Sequence, residues 1–108
     1  MIYTTEEIRM RIYPIAEKYH LKAVYLFGSY ARSEAKENSD LDLLVDTSGT
    51  PLKSLMSLGA LYCELEEAFQ KPIDLITVSS IEQPTRMPSE VDFRENIRRE
   101  KVSLYAVA

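Results

Sequence analysis

Three aspartates border or interrupt apolar runs that are typical of buried β-strands. Asp40 and Asp42 stand two positions apart at the start of the run at residues 41 to 45, and Asp74 lies within the run at residues 73 to 78. Side chains two positions apart on a strand project to the same face, with their backbones separated by about 6.6 Å. We therefore predict that Asp40 and Asp42 point the same way, and that Asp74 joins them if the two strands are neighbours.

Carboxylates that converge in this way need a cation, a proton or abundant water. Two of them about 4 Å apart repel by roughly 4 kcal/mol at an effective dielectric constant of about 20. Mg²⁺ answers this need best, because it binds carboxylate oxygens and takes further ligands from water and substrate phosphates. The aspartates therefore predict a magnesium site that works on a nucleotide. Two ions about 3.5–4 Å apart would stabilise both the attacking and the leaving oxygen of an in-line displacement at phosphorus.

A glycine and a serine follow an earlier apolar run, residues 23 to 27, at a point where a phosphate could approach the backbone. Gly28 has no side chain to obstruct the approach, and the following N–H groups can bind phosphate oxygens together with the Ser29 hydroxyl. Arg32, one helical turn later, offers a fork of donors that suits phosphate. A Gly-Ser pair after a strand is common. Its distance from Asp40, with ten residues between, is what makes it informative.

The aspartates also have an ordinary structural interpretation. Asp40 could be a turn residue after residues 38 and 39, and Asp42 could be an exposed strand residue. The spacing from the Gly-Ser pair and the third aspartate on a later strand favour the site over this alternative. Asp46 lies on the same predicted strand face, but we expect it to end the strand or to cap the following turn.

Hydrophobic periodicity places these residues on a small set of helices and strands. A capping box at residues 4 to 7 begins a helix at residues 5 to 19, which Pro14 should bend or divide. Thr50 as N-cap and Pro51 as first helical residue should begin a long helix that continues to residue 69. The other predicted elements are strands at 23–27, 41–45 and 73–78, a short helix at 30–36, a last helix capped by Ser89, and an edge strand or tail at 102–107. Together they predict an α+β fold, with a small mixed sheet of three to four strands flanked by helices, in a single domain spanning residues 1–108.

Composition restricts the partners of this domain. The net charge is −4 and the sequence pI is about 5.0, which is the wrong sign for binding a nucleic-acid backbone. The only cysteine, Cys63, cannot form an intramolecular disulfide. The N-terminus does not resemble a signal peptide, and no apolar run reaches the length of a membrane span. We therefore expect a cytoplasmic protein with no membrane contact and no direct nucleic-acid contact.

The motifs around these residues resemble those of the DNA polymerase beta-like nucleotidyltransferase superfamily. Within it, the chain is most similar to the minimal nucleotidyltransferases, called MNT, that occur in prokaryotes beside HEPN-domain toxins. The resemblance covers nearly the whole chain and is carried by the segments Phe27-Gly28-Ser29-Tyr30-Ala31-Arg32, Ser39-Asp40-Leu41-Asp42-Leu43-Leu44-Val45 and Ile73-Asp74-Leu75-Ile76. Ser33 departs from the glycine that the family often has after Ala-Arg, which alters a turn but removes no ligand.

The resemblance implies a polymerase beta-like fold in which Gly28 and Ser29 hold a triphosphate. It also implies that Asp40 and Asp42 bind magnesium, with Asp74 as third metal ligand and base-like group. Family members of this kind act as antitoxins, transferring AMP from ATP to a tyrosine of the partner HEPN ribonuclease. The expected cofactor is therefore Mg²⁺, the expected substrate is ATP, and the expected partner is a HEPN toxin in a hetero-oligomer.

Two other functions stay open at this stage. A catalytically silent antitoxin would neutralise its partner by binding alone, and a related enzyme would transfer the nucleotide to a small molecule. A chain of 108 residues leaves little room for an acceptor-binding domain, which favours an acceptor that brings its own surface. A basic group at Arg94, Arg98, Arg99 and Lys101 is interleaved with acidic residues and is interpreted as a solvated helix, with a docking face as the alternative.

Overall fold

A computed structural model describes residues 2–50, 52 and 54–107. The helices and strands of this part of the chain are, in order, α1 Thr5–Lys18, β1 Ala23–Phe27, α2 Gly28–Ala31, β2 Leu41–Asp46, α3 Leu55–Phe69, β3 Ile73–Thr77, α4 Val78–Ile81, α5 Pro88–Glu100 and β4 Val102–Ala106. None of the helices in the described ranges is long and apolar enough to cross a membrane.

The four strands form one mixed sheet in the order β3-β2-β1-β4. β1 pairs antiparallel with both β2 and β4, whereas β2 and β3 are parallel and are connected through α3. The predicted mixed sheet with flanking helices is therefore confirmed. The C-terminal segment is an edge strand rather than a tail, because Val102–Ala106 pairs with β1.

The side chains of β2 alternate between the two faces of the sheet. Leu41, Leu43 and Val45 are buried in the larger core cluster, together with residues of α1 and α3. Leu44 is buried in a smaller cluster on the other face, together with residues of α4 and α5. Asp42 shares the face of Leu44, because residues two apart on a strand point the same way. The aspartate therefore faces the side of the sheet on which α4 and α5 pack.

The larger core is built from the amphipathic helices that the sequence pattern predicts. The residues that α1 and α3 bury in this core are Ile8, Ile12 and Ala16 from α1 and Leu61, Leu65 and Phe69 from α3. Each large aliphatic or aromatic side chain buried in this way contributes roughly 1.5–3 kcal/mol relative to an exposed one. These two helices hold one face of the sheet in place and leave the other face for the site.

The first two helices differ from their predicted forms. α1 has the predicted capping box at Thr4, but it runs through Pro14 without interruption. The short helix predicted at residues 30–36 is wrong, since α2 begins at Gly28 and ends at Ala31. It ends there because Ser33 adopts a left-handed backbone conformation, with φ of 59°. A helix cannot continue through such a residue.

The starts of the two later helices also differ from prediction. Thr50 is not a helix cap, because its hydroxyl donates to the Thr47 carbonyl at 2.7 Å and accepts from the Leu52 N–H at 3.2 Å, which closes a turn. Ser54 caps α3 instead, in a reciprocal capping arrangement with Ser57. Pro51 lies outside the described residues.

At α5, Ser89 is inside the helix, which begins one residue earlier at Pro88 after an N-cap at Met87. Proline is well suited to a first helical position because its missing N–H has no helical partner there.

Lys71, between α3 and β3, links two segments that adjoin the predicted site residues. Its Nζ donates to the Tyr30 hydroxyl at 2.6 Å and to the Ser39 carbonyl at 2.9 Å. The same Nζ lies 4.8 Å from the centroid of the Tyr30 ring, within the range of a cation–π interaction. Ser39 immediately precedes Asp40, so this one side chain links α2 to the approach to β2. The buried Tyr30 is thus a structural residue.

We predict that Lys71→Met lowers the free energy of unfolding by about 1–2 kcal/mol. The methionine fills similar space but leaves the buried Tyr30 hydroxyl and the Ser39 carbonyl without their donor. Thermal unfolding followed by circular dichroism measures the effect. Lys36→Met is the matched control, since this lysine is exposed in the loop between α2 and β2 and should change stability little. Equal melting temperatures for the two variants would contradict the role of Lys71.

Candidate active site

The sheet register brings the candidate site residues together at one end of three strands. Asp42 at the start of β2 is directly opposite Asp74 on β3. On its other side, Asp42 is opposite Phe27, the last residue of β1. Gly28 follows Phe27 and so lies at the same edge. The strand register therefore brings Asp42 and Asp74 together, as predicted. Their roles in catalysis stay a prediction.

Gly28 is required by the position of the Asp42 side chain. A Cβ atom built on Gly28 would lie 2.0 Å from Asp42 Oδ2 and 2.9 Å from its Cγ, which no side chain tolerates. The backbone φ of Gly28 is also +74°, in the region that favours glycine. The carboxylate of Asp42 therefore packs directly against the backbone at the point where the sequence predicts a bound phosphate.

Asp42 is the most strongly perturbed carboxyl group of the site. Burial, followed by the neighbouring charges of Asp74 and then Asp40, raises the pKa of Asp42 to about 6. Arg32 opposes this shift without cancelling it. Asp42 therefore lies within electrostatic range of both other aspartates.

The arrangement fits magnesium in its chemistry, but the ligands are not assembled in advance. No group of three His, Cys, Asp or Glu side chains in the described ranges is already positioned to hold a metal ion. Asp40 and Asp74 are exposed, whereas Asp42 is half-buried, so the two outer carboxylates can rotate toward a cation without displacing packed atoms. The three carboxylates are the oxygen donors that Mg²⁺ prefers. A bound cation would also offset the repulsion that raises the pKa of Asp42.

The predicted phosphate-binding residues lie on the short helix α2 and just after it. Ser29 is half-buried beside Gly28, and its carbonyl accepts from the Glu34 N–H at 2.8 Å. The Arg32 guanidinium already has two carboxylate partners, Glu34 at 2.7 Å and Glu100 at 3.2 Å. Both pairs are partly exposed, so each contributes little stability and can exchange for another anion. Arg32 must therefore change partners if it binds a phosphate.

A cavity of about 220 Å³ joins these residues to one face of α5. The side chains that α5 contributes are Phe93, Asn96, Ile97 and Glu100. Sequence reasoning did not assign these residues to the site. Their spacing of three and four positions was the available signal, because it places them on one helical face, but it does not say which surface that face meets.

One further prediction about a charged residue is confirmed, and a second is confirmed in part. Asp46 ends β2 and its Oδ1 accepts from the Ser48 N–H at 3.0 Å, so it caps a turn. In the basic group of α5, Arg94 makes the expected pair with Glu90 four residues earlier, but its side chain is only 12% exposed, so the helix is not solvated at this position. Arg94 also donates to carbonyls of Ser80 and Gln83, so its guanidinium holds α5 against the α4 region.

We predict that Gly28→Ala disrupts the site while Gly59→Ala does not. The alanine Cβ at position 28 must displace the Asp42 carboxylate in a left-handed backbone conformation, which should cost more than about 1 kcal/mol of stability and abolish nucleotide binding. Gly59 lies inside α3, where an added Cβ would meet nothing within 4 Å. Its replacement should therefore stabilise the helix by up to about 1 kcal/mol. Chemical denaturation and calorimetric ATP titration measure both effects, and normal binding by Gly28→Ala would contradict the contact.

Asp42 and Asp46 should have opposite effects on the pH dependence of stability. The pKa of Asp42 is raised to about 6 from an unfolded value of about 3.9, so ionisation of its carboxyl lowers stability as the pH rises between these values. For Asp46, partial burial acts to raise the pKa, but hydrogen bonds from Ser48 outweigh it and the pKa is lowered. That group therefore stabilises the fold above its unfolded pKa, and its contribution is lost as the pH falls.

In buffer that contains a chelator, we thus predict that Asp42→Asn raises the free energy of unfolding at pH 8 by about 1 kcal/mol, allowing for partial exposure. Asp46→Asn, on the same strand, should lower it. Urea denaturation at pH 4, 6 and 8 measures the two differences from the unmodified protein. A loss of stability in Asp42→Asn at pH 8 would show that the carboxylate is satisfied by groups other than a cation.

Comparison with known proteins identifies an archaeal relative. A Methanocaldococcus jannaschii protein that carries the name of a proposed protein adenylyltransferase is 47% identical over 75 residues, covering 69% of this chain and 78% of that protein. The region of similarity covers most of both chains, so the two proteins share their main domain.

Two solved structures are similar in fold. A proposed minimal nucleotidyltransferase has a TM-score of 0.66 at 29% identity, covering 93% of this chain and 95% of that chain. A complex of a tri-AMPylated Shewanella oneidensis HEPN toxin with an MNT antitoxin also has a TM-score of 0.66, at 18% identity, covering 96% of this chain and 74% of that chain. The second likeness, at this low identity, shows the fold alone.

These findings confirm the resemblance to minimal nucleotidyltransferases and the polymerase beta-like fold. The family model described as polymerase beta nucleotidyltransferase matches residues 11–106, which is nearly the whole chain. This chain therefore belongs to the polymerase beta nucleotidyltransferase family.

Proposed function

We propose that this chain transfers AMP from ATP to a tyrosine hydroxyl of a partner HEPN ribonuclease toxin and so acts as its antitoxin. The observation that carries the proposal is the register that sets Asp42 beside Asp74 while its carboxylate packs against Gly28. The name of the M. jannaschii relative and the tri-AMPylated toxin in the S. oneidensis complex support the choice of a protein acceptor.

In this reaction the hydroxyl oxygen of the acceptor forms a bond to the α-phosphorus of ATP, and the bond to pyrophosphate breaks. The Asp42 carboxylate fills the space that a side chain at Gly28 would take, so the phosphates bind beside it, where Ser29 and Arg32 supply donors to their oxygens. Asp74, which is exposed at the edge of the site, accepts the proton of the attacking hydroxyl.

Asp40, Asp42 and Asp74 would hold Mg²⁺, with two ions expected. Bound magnesium would supply electrostatic stabilisation of the charge that develops on the transferring phosphoryl group. The raised pKa of Asp42 is consistent with this role, because the carboxylate is held in a half-buried position where a cation favours its ionised form.

The acceptor must be positioned by a surface that surrounds the open side of the site. Holding the tyrosine hydroxyl near the α-phosphorus turns an encounter between two molecules into a step within one complex, which is a large part of the rate advantage in such transfers. A stable complex with the toxin supplies this orientation. The expected assembly is therefore a hetero-oligomer of antitoxin and toxin.

We expect the unmodified chain to label the HEPN protein encoded beside it when the two are incubated with magnesium and ATP labelled at the α-phosphate. The double variant Asp40→Ala, Asp42→Ala should lose label transfer by at least about 10³-fold, because the charge-stabilising groups are removed. Mass spectrometry of the toxin identifies the modified residue. Asp46→Asn is the matched control and should retain labelling.

Ribonuclease activity of the toxin separates this proposal from its alternatives. Neutralisation should require labelling and be lost in the double variant that still binds the toxin. If the double variant neutralises as well as the unmodified chain, the antitoxin acts by binding alone. If no label reaches the toxin in a complex that forms, but a small molecule is labelled, the acceptor in this proposal is wrong.

A further inference from the structure

We propose that the face of α5 carrying Phe93 and Asn96 is the subsite for the nucleoside of the donor nucleotide. The ring of Phe93 stacks on the base, and the side-chain amide of Asn96 donates a hydrogen bond to the base or to its ribose. This inference rests on the proposed function in one respect only, which is that the site binds a nucleoside triphosphate.

Phe93 is held in a fixed position although much of it is accessible. Its ring makes an edge-to-face contact with Phe27, with centroids 6.2 Å apart and an interplanar angle of 80°. Phe27 is buried at 5% exposure, whereas Phe93 is 40% exposed. A single exposed aromatic residue needs no explanation in general. This one, however, lines the same cavity as Gly28 and Asp42.

The size of the cavity indicates that it holds part of a ligand. At about 220 Å³ it is smaller than the roughly 300–1,000 Å³ of typical pockets for whole small molecules. A nucleotide whose phosphates lie at Gly28 and Arg32 must therefore divide between the phosphate site and a neighbouring surface. The aromatic and amide side chains of α5 are that surface, since they line the cavity that Gly28 and Arg32 also line.

The charged residues of the cavity lining determine where the phosphates and the nucleoside of the ligand can lie. Asp42, Asp74 and Glu100 contribute three carboxylates to the lining and Arg32 contributes one guanidinium. Phosphates can therefore lie only where Arg32 and bound cations compensate them. The uncharged end of the wall, at Phe93 and Asn96, suits the uncharged nucleoside, because every base offers a π-face to an aromatic ring.

One of the two polar atoms of the Asn96 side chain already has a hydrogen-bond partner, which leaves the other for a ligand. Its Oδ1 accepts from the Arg99 guanidinium at 2.6 Å, which orients the amide and leaves its nitrogen as the donor toward a ligand. Bases and ribose both carry acceptors that such a donor can reach. The expected contribution is that of one ordinary hydrogen bond.

The contacts of α5 place this wall beside the predicted phosphate-binding residues. Arg94 and Arg98 donate to carbonyls of Ser80 and Ile81 in α4, which follows the end of β3 away from Asp74. Phe93 and Glu100 contact Phe27 and Arg32, on the side of β1 and α2. The wall therefore adjoins the phosphate site.

The test measures binding of ATP and of inorganic tripolyphosphate to the chain by calorimetry, with magnesium present and no acceptor protein. Phe93→Ala should weaken ATP binding by about ten-fold or more, the loss typical when a stacking ring is removed, and leave tripolyphosphate binding unchanged. Asn96→Leu should weaken ATP binding by about five-fold. Val91→Ala removes an exposed apolar residue of the same helix outside the cavity lining and is the matched control for both.

Each outcome decides the inference. Selective loss of ATP affinity in both cavity variants supports it, even if no AMP reaches any acceptor, in which case only the proposed function fails. Unchanged ATP affinity in Phe93→Ala overturns it. Equal losses for ATP and tripolyphosphate also overturn it, because the ring then acts on the phosphate site. If the unmodified chain binds no ATP, the subsite and the proposed function both fail.

Discussion

The contact between the Asp42 carboxylate and the backbone of Gly28 is the constraint on which the rest of the site depends. Asp42 Oδ2 lies where a side chain of residue 28 would begin, 2.0 Å from the position that a Cβ would occupy. The contact requires β1 and β2 to be paired in a register that sets Phe27 opposite Asp42. A shift of one residue in either strand would turn the carboxylate to the opposite face and bury it in the larger core. The acidic site therefore requires both this strand pairing and the left-handed backbone conformation of Gly28.

The same constraint makes the site electrostatically unfavourable in the absence of a ligand. Burial and the charges of Asp74 and Asp40 raise the pKa of Asp42, while Arg32 is shared with two other carboxylates. Ionisable groups with perturbed pKa values concentrate at functional sites, because their positions there serve ligand binding or catalysis rather than stability. The two core clusters on either side of the sheet provide the stability that offsets this cost.

α5 connects the structural and functional parts of the molecule. Ile97 is buried against the sheet, and Arg94 bonds to carbonyls near α4, so the helix is fixed in place. Phe93 and Glu100, on the same helix, line the cavity beside Asp42. A helix held so firmly can present side chains to a ligand at defined positions without further ordering, which lowers the entropic cost of binding.

The sequence by itself predicted the first three strands, the mixed α+β class and the aspartates of the candidate site, and it left the fourth strand open. This was possible because apolar runs identify buried strands, and because a Gly-Ser pair followed at a fixed distance by two aspartates combines several uncommon features in one short segment. It failed at the boundaries of α2, α3 and α5. At α3, for example, local hydrogen bonds at Thr50 and Ser54 decide between competing caps. Only the tertiary structure decided which distant side chains support the site or join it. Lys71 reaches Tyr30 and Ser39 across 41 and 32 positions of sequence, and Glu100 reaches Arg32 across 68. No local pattern encodes such contacts, because they depend on how helices pack across the sheet. The pairing of Asp42 with Asp74 was foreseen only on the condition that their strands are neighbours, and the parallel pairing of β2 with β3 meets that condition.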